Sequence, residues 1–151
     1  MVSLKFGVAL LASSTISLCA NLLRPNTAVQ VTACTTGRPT TTAGYPMPYY
    51  TKVAPKDNFS NGYRPETRWA SEHLVGTYNF GAPEPLTTGF AYAQFKCQYY
   101  CDNQSVGGSF FVRREDGVGS RCECYDELLD PKTFVDDNET WVGAWNALCM
   151  G

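Results

Sequence analysis

The residues best placed to do chemistry in this chain are its cysteines. Of seven, Cys19 lies in an apolar N-terminal stretch, and six lie beyond it. Cys97 and Cys101 are four apart, Cys122 and Cys124 are two apart, and Cys34 and Cys149 stand far to either side. On a helix, a spacing of four stacks two side chains on one face; on a strand, a spacing of two does the same. A helix bearing two thiols can therefore lie on a strand bearing two thiols and be stapled to it twice. The staples are either Cys97–Cys124 with Cys101–Cys122 or the crossed choice. The nested set is expected, because it suits an antiparallel crossing. Cys34 and Cys149 remain, and joining them ties the N-terminal region to the end of the domain. A loop of about twenty residues closed in this way contributes roughly 3 kcal/mol. The competing chemistry for such thiols is structural zinc, which normally shows C-x-x-C pairs or histidine partners. The single histidine, His73, supplies neither pattern, so no metal and no cofactor are expected.

Other catalytic groups are sparse. A Ser/His/Asp arrangement needs a positioned histidine, and His73 sits in the polar stretch Ser71-Glu72-His73-Leu74. Carboxylates cluster at Asp126, Glu127 and Asp130 and again at Asp136, Asp137 and Glu139. A small hydrolase could use two of them, and they offer hard oxygens for calcium. They lie in turn-like segments with little apolar sequence to raise a pKa, and no EF-hand spacing is present. The chain is therefore not expected to be an enzyme. Aromatic side chains are denser, at 13% of residues. Amphipathic rings on a surface suit sugar faces or protein partners. Tyr99 and Tyr100 are the candidates on the predicted helix, because two adjacent helical positions cannot both face inward. Trp141 and Trp145 are the candidates in the tail.

These groups need a frame. Thr87 or Thr88 can cap a helix running to about Asp102, with Phe90, Gln94, Cys97 and Cys101 near one face. Ser109 to Arg114 is a strand by composition, Asp116-Gly117 a turn, and Arg121 to Tyr125 the returning strand of a β-hairpin. A helical turn is predicted around Glu66 to His73. The tail from Leu128 to Cys149 fits a helix or a strand, and Gly143 suits the interior of neither.

The length of 151 residues allows one modest domain with flanking segments. Residues 1–20 resemble a secretory signal peptide: Lys5, then an apolar run from Phe6 to Leu18 too short to span a bilayer. Secretion places the remaining cysteines in an oxidising compartment. Sequons at Asn58, Asn103 and Asn138 suit N-glycosylation there. Residues 21–75 read as a Thr/Pro/Tyr-rich extension, loop-rich with short strands, and residues 76–151 as the disulfide domain. Residues 21–96 hold 7 basic and 4 acidic side chains, whereas residues 97–151 hold 4 basic and 10 acidic. The acidic half reads as a solvated face. The net charge of −2 and the absence of a basic run argue against nucleic acid as the partner. No membrane insertion is expected.

The stretch from Phe90 to Cys149, FAYAQFKCQYYCDNQSVGGSFFVRREDGVGSRCECYDELLD with a closing WNALC, resembles the PAN/apple-like domains of small secreted fungal proteins. Cys97 and Cys101 match that family's helix pair, Ser109-Phe110-Phe111-Val112 its aromatic strand, and Cys124-Tyr125 its later strand. Where the family has a cysteine before the aromatic strand, this chain has Gly107-Gly108, and Cys122 takes that role. The resemblance implies non-catalytic binding of protein or carbohydrate. The combined expectation is an α+β domain: one helix across a small disulfide-stapled antiparallel sheet, preceded by a loop-rich extension. Its partner is expected to be an extracellular glycan or protein at a cell surface, wall or matrix. The alternatives are a secreted effector or toxin acting on a host protein and a small hydrolase using an acidic pair.

Overall fold

The computed structural model describes residues 33–81, 85–103 and 107–149, so the predicted signal peptide lies outside the described residues. In chain order the elements are β1 (Thr40–Thr42), β2 (Tyr45–Met47), β3 (Tyr50–Val53), β4 (Tyr63–Pro65), α1 (Thr67–His73) and β5 (Leu74–Phe80). Then follow α2 (Leu86–Asp102), β6 (Ser109–Glu115), β7 (Gly119–Tyr125), β8 (Phe134–Asp136) and β9 (Val142–Ala147). The architecture is α+β, mostly sheet with two helices.

The main sheet has five strands in the order β3-β9-β6-β7-β5, and all its pairings are antiparallel. Alternation along the β6–β7 hairpin gives the sheet two different faces. Phe110, Val112, Cys122 and Cys124 pack with Phe90, Ala93, Cys97 and Cys101 of α2, joined by Trp145 and Tyr50. Phe111 and Tyr125 point the other way, into a second cluster with Leu129, Phe134, Ala144 and Val53, against which Trp69 of α1 and Tyr63 of β4 pack. Both faces are thus covered, α2 on one side and α1 with the β4–β8 pair on the other.

Gly143, which fits poorly in a generic strand, has a specific use. A Cβ there would lie 2.9 Å from Gln94 Oε1 of α2, so glycine leaves room for the buried Gln94 amide between helix and strand. The helix starts at Leu86 with Pro85 as its cap, not at Thr87 or Thr88. Thr88 instead donates its hydroxyl to the Pro85 carbonyl at 3.1 Å.

The residues read as a loop-rich extension contribute strands to the fold. Tyr50–Val53 is an edge strand of the main sheet, and the expected boundary at residue 75 falls inside β5. Pro48 and Pro55 flank β3, and a four-residue edge strand tolerates such neighbours because only one of its edges must donate to the ladder. The Thr40–Thr42 run forms β1, which turns through Ala43 (φ 44°) and Gly44 (φ 86°) into β2. That two-residue turn with positive φ at both positions matches the twist of a hairpin. Gln98 of α2 donates to the Pro46 carbonyl at 2.9 Å and pins β2 to the helix.

The cap of α1 makes the helix sensitive to acid. Glu66 accepts from the backbone amides of Arg68 at 3.0 Å and Trp69 at 2.9 Å. Those bonds hold its carboxyl below the usual range. A depressed folded-state pKa adds stability that is present above the unfolded value and lost as pH falls through the folded one. Below about pH 4, α1 is expected to loosen and Trp69 to leave Tyr125, 4.9 Å away. Loss of the Trp69 indole NMR signal on acidification, absent in Glu66→Gln, is the check; identical acid profiles would refute it.

Candidate functional site

Three disulfides fix the frame: Cys34–Cys149, Cys97–Cys122 and Cys101–Cys124. The first is the expected pair. The other two correct the expectation of nested staples, since the helix pair and the strand pair are joined in the same order. The four inner sulfurs are crowded, with Cys101 Sγ 3.6 Å from Cys122 Sγ. All four inner cysteines are fully buried, whereas Cys34 and Cys149 are exposed.

With its inner face stapled, α2 presents its outer face to solvent. Tyr99 lies about 200° round the helix from Cys97 and is 42% exposed. Tyr100 is half-buried and donates its hydroxyl to the Thr77 carbonyl of β5 at 3.1 Å. That bond brings the helix against the edge strand, where Tyr78 and Phe80 alternate toward the α2 side. Tyr78 is 48% exposed, and its ring lies 4.6 Å from Phe80 and 4.9 Å from Tyr100. Tyr78, Phe80, Lys96, Tyr99, Tyr100 and Asn103 line a shallow cleft of about 270 Å³. Beyond Tyr99 the rings continue along the helix through Phe95, 5.2 Å away, to Tyr92 and to Tyr45 of β2. The result is a strip of rings running from the sheet edge along the helix, with a cationic side chain and an amide at its rim.

The four aromatic residues singled out from the sequence have separate fates. Tyr99 and Tyr100 meet in this cleft. Trp141 is half-buried against the core, 5.8 Å from Phe90. Trp145 is 1% exposed and stacks on Phe110, so it is part of the core and not of any surface. Tyr78, Phe80 and Lys96 complete the cleft but were not among those candidates. The signal that marks the first two is the period-two pattern Thr77-Tyr78-Asn79-Phe80.

Several of the acidic candidates, and His73, are engaged by neighbouring groups. Asp130 accepts from the Lys132 amide, Asp137 from the Asn138 amide and Glu139 from the Trp141 amide, each holding a turn. His73 Nδ1 pairs with Asp126 at 2.9 Å, with Trp69 4.9 Å from its ring. The sequon asparagines Asn58, Asn103 and Asn138 are all exposed, and Asn103 also borders the aromatic cleft.

A larger cavity of about 410 Å³ lies between the Cys34–Cys149 disulfide, Tyr49, Tyr50, Asp102 and Leu148. Burial, reinforced by the Asp102 carboxylate, keeps the Tyr50 phenol protonated far above its ordinary range. Burial and the Glu123 carboxylate do the same to Tyr125. Neither phenol is suited to proton transfer near neutral pH.

Comparison with protein-family models, with curated proteins and with solved structures returns no match. Three disulfides, and no helix among the described residues long and apolar enough to cross a membrane, are consistent with a secreted protein.

Proposed function

We propose that the protein is a secreted, non-catalytic module that binds carbohydrate at a cell surface, wall or matrix through the α2–β5 cleft. The observation that carries this reading is the row of half-exposed rings, Tyr78, Tyr99 and Tyr92, outside the packed core. Flat ring faces stack on the C–H faces of sugars, and Lys96 and Asn103 at the rim supply hydrogen bonds to hydroxyls. A shallow, open cleft suits an extended chain lying across it. The placement of the Cys97/Cys101 helix beside an aromatic strand and a Cys124-Tyr125 strand supports a PAN/apple-like arrangement, whose members bind without catalysis. In this reading the leader directs secretion, Asn58 and Asn138 carry glycans on exposed positions, and Asn103 stays unmodified at the rim of the cleft.

The test is a pull-down with insoluble wall and matrix polysaccharides, followed by titration with the oligosaccharide of whichever one binds. Tyr99→Ala and Tyr78→Ala should each weaken binding about tenfold, the equivalent of about 1.4 kcal/mol. Stability should stay within about 0.5 kcal/mol of the parent, as expected for exposed side chains. Retention on no polysaccharide, or affinity indifferent to both substitutions, would overturn the reading. Protein capture that depends on the same two tyrosines would instead favour the effector alternative.

A further inference from the structure

We infer that the sheet face opposite α2 carries a second site, a small cleft that takes a single oxyanion. The inference is independent of the aromatic cleft and of what that cleft binds. Antiparallel register sets Arg113 of β6 directly opposite Arg121 of β7, and like charges in facing positions repel. The two arginines have different partners. Arg121 Nε pairs with Glu123 Oε1 at 2.9 Å, and its Nη1 lies 3.9 Å from Glu115 Oε2. The other oxygen of Glu123 accepts the Tyr125 hydroxyl at 2.8 Å, so that carboxylate is committed on both sides. Arg113 has no carboxylate within ion-pair distance among the described residues, and its Nε is buried without a hydrogen-bond partner. A guanidinium that faces a like charge and has no carboxylate partner is destabilised, and an anion arriving beside it relieves the repulsion.

A cleft beside Arg113 gives that anion a place. Arg113 lines a cleft of about 140 Å³ with Arg64 of β4 and Thr67 of α1. Arg64 Nη1 donates to Thr67 Oγ1 at 2.5 Å, which steadies its guanidinium at the rim. Two guanidinium groups face one already committed carboxylate there, so the cleft has surplus positive charge although the chain as a whole is −2. The space holds a carboxylate or sulfate group with water beside it. Planar guanidinium forks match that geometry. The ligand class is therefore an oxyanion, either free in solution or borne by an acidic sugar whose ring stays outside.

The arginine Nε–Hε signals of the intact, oxidised protein test this by NMR, with sodium sulfate, methyl β-glucuronoside and neutral methyl β-glucoside as probes. Saturable shifts at Arg113 and Arg64 are expected with the two anions and not with the glucoside. Arg113→Gln should weaken the response at Arg64 at least tenfold. Should that variant fold poorly, Arg64→Gln, on the half-exposed β4, should weaken the response at Arg113 several-fold. Arg68→Gln, an exposed partner of Glu72 outside the cleft, should leave binding unchanged. Tighter binding of the glucuronoside than of sulfate assigns the site to acidic sugars, and the reverse assigns it to inorganic anions. Shifts that rise linearly without saturation, or equally at Arg68, would reduce the effect to salt screening and overturn the site.

Discussion

Trp145→Ala should destabilise the protein by about 3–5 kcal/mol, the range for deleting a large aromatic side chain from a packed core. The tryptophan is 1% exposed and stacks on Phe110, which in turn meets Tyr50 edge to face at 4.9 Å. Its removal would leave a void beneath α2 that the disulfides prevent the helix from filling. Trp145→Phe separates packing from polarity. The indole Nε1 is buried without a hydrogen-bond partner, and an unmet buried donor costs about 1–3 kcal/mol. Phenylalanine loses volume but removes that donor, so it should cost less than half as much as alanine. Urea unfolding with the disulfides intact measures both. A cost below about 1 kcal/mol for Trp145→Ala, the level of a typical mild substitution, would place Trp145 at the surface and reopen it as a binding residue.

Much of this frame is legible in the residues. The Phe110/Val112 and Cys122/Cys124 alternation marks the hairpin, and the Cys97/Cys101 spacing marks the inner face of α2. The same helix geometry turns Tyr99 outward. Other features depend on contacts between distant segments. The sequence Tyr50-Thr51-Lys52-Val53 looks like loop because it is four residues among prolines, and it becomes a strand only by pairing with β9, about ninety positions later. Tyr78 and Phe80 join the cleft only because β5 returns to pair with β7, so no local pattern links them to Tyr99. Trp145 is an aromatic candidate by composition, and only its packing on Phe110 assigns it to the core.

The pairing of the inner disulfides follows from the direction of the chain. The link from α2 into β6 is short, so the chain must turn back on itself. The turn at Asp116–Val118 reverses it again, so β7 runs in the same direction as α2. Four helical residues rise about 6 Å and two strand residues about 6.8 Å. A helix and a strand running together therefore match Cys97 to Cys122 and Cys101 to Cys124 in order, as observed. Nested pairs would require opposite directions.

Mild reduction of the folded protein should release two thiols and no more, those of Cys34 and Cys149. Thiol–disulfide exchange needs a thiolate to reach a sulfur in line, so access governs the rate. Cys34 and Cys149 are exposed, whereas the other four cysteines have no accessible surface beneath α2. The outer crosslink closes the longest loop, with a sequence separation of 115 against 25 and 23 for the inner pair. In the chain-entropy account a loop of about that length contributes up to about 4.7 kcal/mol, less here because the inner crosslinks already shorten the free path within it. Hydrogen bonds still hold the segment after cleavage: the Thr35 amide to the Ala147 carbonyl at 2.8 Å and the Cys149 amide to the Thr35 carbonyl at 2.9 Å. The sheet should therefore persist while the midpoint of thermal unfolding falls by about 10 °C or more. Alkylation after graded reduction, followed by peptide mapping, identifies the first thiols released and the pairs that remain. Early labelling of any of Cys97, Cys101, Cys122 or Cys124 would contradict the burial of the inner staples. A surviving Cys97–Cys124 peptide would contradict the parallel run of helix and strand.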